Sequence, residues 1–241
     1  MESMDGCGVN IEVITSFDRK YYEAIGHACV NSWLSKWPSH MTLTCYVEGF
    51  SLPPNTRLRQ IPFVALGQSY VDFQKSDEKD RVKTFAKKAY SVIHAMENST
   101  ADRIVWLDAD VVTQDTVTTQ LLESLCPDDT LAMYMGVKHD EWFSAETGVF
   151  VLNTGHPEFK AFSARYREYY DTHKKDNIRR FYDGEVFGAV AKEFEARAKL
   201  NNLCAEFKKE YKTPLKHTVL GPYLHHHKSK HAKADFVAQA Q

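Results

Sequence analysis

The sequence predicts an α/β fold built on a mostly parallel sheet with helices on both faces. Three observations carry this. Strand-like apolar runs alternate with helical patterns through the first half of the chain, the order a parallel sheet requires. Arg103–Val112 (RIVWLDADVV) opens with consecutive apolar residues, the mark of a strand buried on both faces. Arg81–Asn98 places Val82, Phe85, Ala86, Ala89, Tyr90, Ile93 and Met96 at helical spacing.

The elements follow in order. Val9–Ser16 reads as the first strand, and Tyr22–Trp37 as a helix stopped by Pro38. Met41–Val47 is a second strand, and Arg57–Leu66 contains a third. Gly67–Asp80 is polar and reads as a loop. The helix Arg81–Asn98 leads into the strand that ends in Asp108-Ala109-Asp110. A short helix near Val117–Leu125 precedes strands at Leu131–Met135 and Gly148–Leu152. Pro157–Asp171 is a helix with proline in its first turn and an aromatic stripe of Phe159, Phe162, Tyr166, Tyr169 and Tyr170. Gly184–Ala198 is a further helix, and the tail from Lys199 is less regular. No repeat, low-complexity segment or linker interrupts this pattern, so one domain is expected.

Hydrophobic residues at 43% and charged residues at 26% are ordinary for a soluble globular protein. A net charge of −2 argues against general electrostatic binding to nucleic acid. Between Lys199 and Lys233, however, eight lysines and five histidines stand against two glutamates. A local basic region in a neutral protein suits a small anionic ligand. Cys7, Cys29, Cys45, Cys126 and Cys204 are odd in number and widely spaced, which favours a reducing compartment. The N-terminus is polar, and no apolar run approaches the length of a membrane span. A cytoplasmic protein is expected.

The chemistry starts at the two aspartates. On a strand, Asp108 and Asp110 share one side and Ala109 faces the other. Two carboxylates at the end of a buried strand can hold a divalent cation while leaving coordination positions for phosphate oxygens and water. The competing reading is a pair of ordinary loop aspartates. By helical spacing, Arg81, Thr84, Phe85 and Lys88 share a side, which aims Arg81 and Lys88 at a ligand or at Asp108, or leaves them on a solvated edge. Asp183 precedes Gly184-Glu185-Val186 and reads as a helix N-cap. Glu146 reads as a turn residue before a strand.

Asp108-Ala109-Asp110 after an apolar strand resembles the Asp-x-Asp motif of GT-A fold glycosyltransferases. Glu146–Asn153 (ETGVFVLN) is similar to the segment in which a polar residue and Gly-Val precede a strand ending in Asn. Phe181–Phe187 (FYDGEVF) resembles the Asp-led start of a late helix, with Asp-Gly where Asp-Gln is frequent. Gly221–Lys228 (GPYLHHHK) resembles a C-terminal His/Lys element, with Ser229 where glycine is usual. The resemblance spans most of residues 1–241. It implies a single Rossmann-like domain with a central, mostly parallel mixed sheet flanked by helices.

It also implies a nucleotide-sugar donor, a UDP-sugar in the first place, and a glycan or other hydroxyl acceptor. Mn²⁺ or Mg²⁺ would be held by Asp108, Asp110 and His226, the imidazole tilting the choice toward Mn²⁺. Alternation along an extended segment selects His226 over His225 and His227. Lys228 and Lys230 would meet the diphosphate. Thr15, Ser16 and Phe17 end the strand that holds base and ribose in the family, and Tyr21 or Tyr22 stacks on the base or packs at the helix start. Asp108, Ala109, Arg81 and Lys88 complete the donor set. Asp183 and Glu146 are the candidate catalytic carboxylates. The His/Lys element leans toward retention of configuration. A sugar nucleotidyltransferase is the nearest rival, but Thr15–Lys20 (TSFDRK) lacks the glycine-rich loop that cradles a triphosphate. A non-catalytic nucleotide-sugar-binding protein of the same fold is the second rival.

Overall fold

A computed structural model describes residues 8–139, 142–205 and 213–227. Within it, β1 (Ile11–Asp18), β2 (Thr42–Glu48), β3 (Leu58–Pro62) and β4 (Arg103–Leu107) are parallel neighbours in the order β3-β2-β1-β4. A two-stranded ribbon lies apart from this sheet and joins β5 (Val111–Thr113) to β9 (Leu224–His226). The main sheet continues from β4 through β7 (Phe143–Asn153) and β6 (Thr130–Lys138) to β8 (Lys199–Asn202). β7 pairs antiparallel with both β4 and β6, while β8 is parallel to β6. The sheet is therefore mixed and mostly parallel, with β7 running against the rest.

The helices are α1 (Arg19–Tyr21), α2 (His27–Lys36), α3 (Gln68–Lys75), α4 (Asp80–Asn98), α5 (Thr119–Leu125), α6 (Phe159–Asp171) and α7 (Asp183–Phe194). Alternation along the strands sorts the core into two layers. Ile14, Ile104, Trp106, Phe150 and Leu152 face α3, α4, α6 and α7. Val13, Val105, Leu107, Val149 and Val151 face α2, α5 and the segment from Leu215 to Leu224.

Several expectations change. Gly67–Asp80 is not a loop throughout, because Gln68–Lys75 is helical. Its two buried residues, Tyr70 and Phe73, pack against Tyr90 and Tyr170. Burial of one aromatic face outweighs a polar composition in so short a helix. The first helix starts earlier than Tyr22. Asp18 caps α1 by accepting from the Tyr21 amide, and a π-turn at Tyr22–Gly26 carries the run into α2. β7 begins at Phe143, so Glu146 lies inside a strand opposite Met135 and is no turn residue. β8 and β9 give order to the tail after Lys199.

Asp108, Ala109 and Asp110 do not continue the strand. They form a turn between β4 and β5, closed by the Val111 amide on the Asp108 carbonyl at 2.9 Å. Strand alternation is therefore not what brings the two carboxylates together. Both nevertheless stand at the carboxyl end of β4, beside the end of β1, where open α/β sheets bind their ligands.

α7 is seated by Phe187, whose ring lies 4.6 Å from that of Phe150 and within 6.1 Å of those of Tyr134, Phe162 and Tyr166. Phe187→Ala is expected to destabilise the protein by about 3–5 kcal/mol through the cavity it leaves. A urea titration followed by circular dichroism checks this; an unchanged midpoint would show that α7 does not depend on this packing.

Candidate functional site

A cleft of about 690 Å³ opens over the carboxyl ends of β1 and β4. Its floor is built by three oriented side chains. One oxygen of Asp108, Oδ1, accepts from the Lys88 ammonium at 2.7 Å and from the Trp106 indole N–H at 2.7 Å. One oxygen of Asp110, Oδ2, accepts from the Tyr21 hydroxyl at 2.8 Å. His226 points its Nε2 between the two carboxylates, 3.0 Å from Asp110 Oδ1 and 3.7 Å from Asp108 Oδ2. The remaining three atoms, Asp108 Oδ2, Asp110 Oδ1 and His226 Nε2, thus face one another. Ligand atoms of these three residues all lie within 4.8 Å.

This donor set fits a divalent cation. Two carboxylates and one neutral imidazole suit an ion of the Mg²⁺ or Mn²⁺ type and leave room for further oxygen ligands. Each ligand is also aimed by a hydrogen bond or close polar contact on its other side, as metal ligands usually are.

His226 reaches the site on the β5–β9 ribbon. Val111 pairs with His226, and the His227 amide donates to the Asp110 carbonyl at 2.9 Å. The extended backbone turns His225 and His227 to the opposite side, where their rings meet at 4.4 Å. Lys228 and Lys230 lie outside the described residues.

Lys88 is the central cation of the described site. It projects from α4 and is almost fully buried. Besides Asp108, it lies 3.0 Å from Asp183 Oδ2 and donates to the Thr147 carbonyl at 2.6 Å. Burial alone would favour loss of its proton, but Asp108 and Asp183 outweigh that and hold it charged beyond the ordinary lysine range. The solvated-edge reading of Lys88 falls. Asp183 is the counterpart: burial would raise its pKa, yet Lys88 and the Thr147 hydroxyl, donating at 2.6 Å, hold its carboxyl below the usual range. Tyr182, not Asp183, is the N-cap residue of α7. Asp183 is the first helical residue, and its carboxylate turns into the cleft instead of capping.

Gly184 follows Asp183 because α7 meets β7 closely. A Cβ there would stand 2.4 Å from the Ala145 carbonyl oxygen. A longer residue at this place would require the helix to move.

The cleft also brings in Ser16, Phe17, Tyr21, Ala109, Glu146 and, at the rim, Arg81. Arg81 is exposed, with its guanidinium 4.8 Å from the centre of the Tyr182 ring. Thr15 does not reach the cleft; it is fully buried in β1. Tyr22 packs its ring on Phe17 and Phe50 at 5.2 and 5.3 Å. Tyr21 spends its hydroxyl on Asp110, with burial first and that carboxylate second raising its pKa. Trp106, Thr147, Trp142, Arg180 and Tyr182 line or brace the site, although nothing in their spacing along the chain marks them for it. Trp106 reads as core because it is core; its indole N–H reaches Asp108, and its ring lies under the Lys88 ammonium.

Solved structures share this architecture. The galactosyltransferase LgtC, crystallised with donor and acceptor sugar analogues, matches with a TM-score of 0.55 at 14% identity, covering 91% of this chain and 87% of LgtC. Mouse xyloside xylosyltransferase 1 in its apo form matches at 0.55 and 11% identity, covering 81% and 85%. The bifunctional glycosyltransferase WbbM matches at 0.59 and 12% identity over 93% of this chain and 47% of its own. No protein-family model matches the sequence, and no curated protein matches it. At these identities the likeness establishes the fold. The chain has the GT-A fold of these glycosyltransferases.

Lys88→Met should destabilise the protein by about 3–5 kcal/mol, because it leaves Asp108 and Asp183 without their shared cation. Millimolar Mn²⁺ should recover more stability in this variant than in the wild type, since an ion on Asp108 offsets the lost charge. Melting curves with Mn²⁺ or with EDTA measure both effects. Equal metal-induced shifts in the two proteins would separate Lys88 from the metal site.

Proposed function

We propose that this chain is a metal-dependent glycosyltransferase that moves a hexosyl unit from a UDP-sugar to a glycan or other hydroxyl acceptor. The observation that carries this reading is the convergence of Asp108, Asp110 and His226 at the floor of a cleft at the carboxyl edge of a GT-A sheet. The sugar-transferring neighbours support it. LgtC holds donor and acceptor sugar analogues, and the mouse protein is a xylosyltransferase.

A divalent ion bound there, Mn²⁺ by preference, would take the diphosphate oxygens and offset the charge that develops as the sugar–phosphate bond breaks. The chain's own groups do the rest. Lys88 and Trp106 hold Asp108, Tyr21 holds Asp110, and Arg81 at the rim adds positive charge toward the donor. Asp183 sits between Lys88 and Thr147, where it can accept a sugar hydroxyl and fix the pose of the donor. A carboxylate held at low pKa by a lysine is a weak base. That favours retention, in which the departing phosphate takes the acceptor proton and no strong protein base is needed.

The end of β1 argues against the nucleotidyltransferase reading. The strand passes into a helical turn capped by Asp18, and no glycine loop follows it to wrap a triphosphate. The expected reducing, cytoplasmic setting belongs to the same proposal; Cys29, Cys45, Cys126 and Cys204 are buried free thiols.

Calorimetric titration with UDP and Mn²⁺ tests the donor site. Asp110→Ala should abolish metal-dependent binding with little loss of stability, and unchanged affinity would refute the assignment. A second variant tests Asp183. Asn keeps the size and the contact with Thr147 but loses the charge. Asp183→Asn should lower turnover by about two to four orders of magnitude, comparable to removal of a group that acts in the transition state. Near-normal turnover would reduce Asp183 to a structural partner of Lys88.

A further inference from the structure

We propose that β7 carries a dedicated seat for His226, made of Glu146 and Gly148, which selects Nε2 as the nitrogen offered to the metal. It rests on the reading of Asp108, Asp110 and His226 as metal ligands.

Glu146 and Gly148 both approach the His226 ring, on a stretch of β7 where the register with β6 shifts. That stretch meets the β5–β9 ribbon. Glu146 Oε1 lies 3.2 Å from His226 Nδ1, on the edge of the ring opposite the aspartates. The same oxygen accepts from the Gly148 amide at 3.2 Å, which ties the carboxylate to its own strand. Both side chains are largely buried, His226 at 7% exposure and Glu146 at 12%.

Gly148 supplies the space. A Cβ at this position would stand 2.6 Å from His226 Nδ1 and 2.8 Å from its Cε1. No other residue leaves the ring where it is. The φ of Gly148 does not require glycine, since only Gly49 and Gly67 have positive φ among the described glycines. The close approach of the ring is the reason for glycine here.

The chemistry follows from the two nitrogens. A neutral imidazole carries one proton, and the partner of one nitrogen decides where it sits. The Glu146 carboxylate stands 3.2 Å from Nδ1 without an aligned hydrogen bond, and its negative charge on that edge favours the proton there. Nε2 then keeps its lone pair, directed between Asp108 and Asp110. Glu146 is thus a positioning residue acting through His226, and its place on the strand, not contact with substrate, explains a third carboxylate beside two metal-binding ones.

Mn²⁺ binding followed by electron paramagnetic resonance of the free ion, in the absence of any donor, tests this. The proteins compared are wild type, Glu146→Ala, Glu146→Gln, Gly148→Ala and His226→Ala, with circular dichroism to establish that each is folded. Glu146→Ala and Gly148→Ala should each weaken Mn²⁺ binding by about 10–100-fold, the usual effect of losing an outer partner of a metal ligand. Glu146→Gln keeps an acceptor oxygen for the Nδ1 proton and should recover most of the affinity. In the His226→Ala background, Glu146→Ala should cost nothing further, because its effect passes through the ring. If Gly148→Ala does not fold, the Glu146 variants decide alone. Wild-type affinity in Glu146→Ala, with affinity lost in His226→Ala, overturns the seat and leaves the metal site standing. Wild-type affinity in His226→Ala overturns both. Affinity lost in Glu146→Gln as deeply as in Glu146→Ala would show that an acceptor at Nδ1 is not what the metal site needs, and overturns the selection of Nε2 by this contact.

Discussion

The Lys88 ammonium, buried between Asp108, Asp183 and the Thr147 carbonyl, is the contact on which the rest of the cleft depends. It joins four pieces of chain: α4, the turn after β4, β7 and the start of α7. Without a cation at that point, carboxylates from two different elements would face each other in a poorly solvated space, and one would have to take up a proton or move. With it, Asp183 is held below the usual carboxylate range, and both carboxylates keep fixed directions. A buried ammonium is costly to desolvate. That cost is offset only because every neighbour is an acceptor, and the indole ring of Trp106 lies 5.1 Å beneath it.

The sheet explains why such a junction can exist. β7 is the strand that runs against its neighbours, and it lies next to β4. Its early residues therefore pass the carboxyl end of β4 on the way into the sheet. Thr147 and Glu146 arrive beside Asp108 by this reversal, and the Asp108 amide donates to the Gly148 carbonyl at 2.8 Å. A parallel strand in that place would present its amino end at the opposite edge. α7 then packs its first turn on the same stretch of β7, which delivers Asp183. The antiparallel insertion is what gives the site a second wall.

Much of this is legible in the residues, for different reasons in each case. The α4 stripe is a periodic signal over many residues, so spacing alone reveals the helix and the shared side of Arg81 and Lys88. Asp108 and Asp110 stand out by residue type after an apolar run. Strand alternation is the wrong reason for their convergence, since a turn brings them together instead. Periodicity does not mark where a strand gives way to a turn of three residues. α3 is hidden because two buried aromatics among polar residues are too few to register as an amphipathic face. The N-cap reading of Asp183 fails by one position, a shift within the ordinary uncertainty of helix ends. Trp106, Thr147 and Gly148 act through an indole N–H, a backbone carbonyl and an absent side chain. Such contributions depend on close approach in space and leave no trace in spacing.

The ribbon that carries His226 has a consequence of its own. Asp108 directly follows the central strand β4, while Asp110 leads into β5 of the small ribbon. His226 comes from a three-residue strand paired only to another of three residues within that small sheet. Elements of that size open at a small fraction of the free energy that unfolds a domain. The protein therefore has two levels of integrity. Heat or denaturant is expected to loosen the histidine before the core around Leu224 unfolds. An ion held by Asp108, Asp110 and His226 would tie the ribbon to the turn after β4, and slowed hydrogen exchange at the amides of β9 would register its arrival.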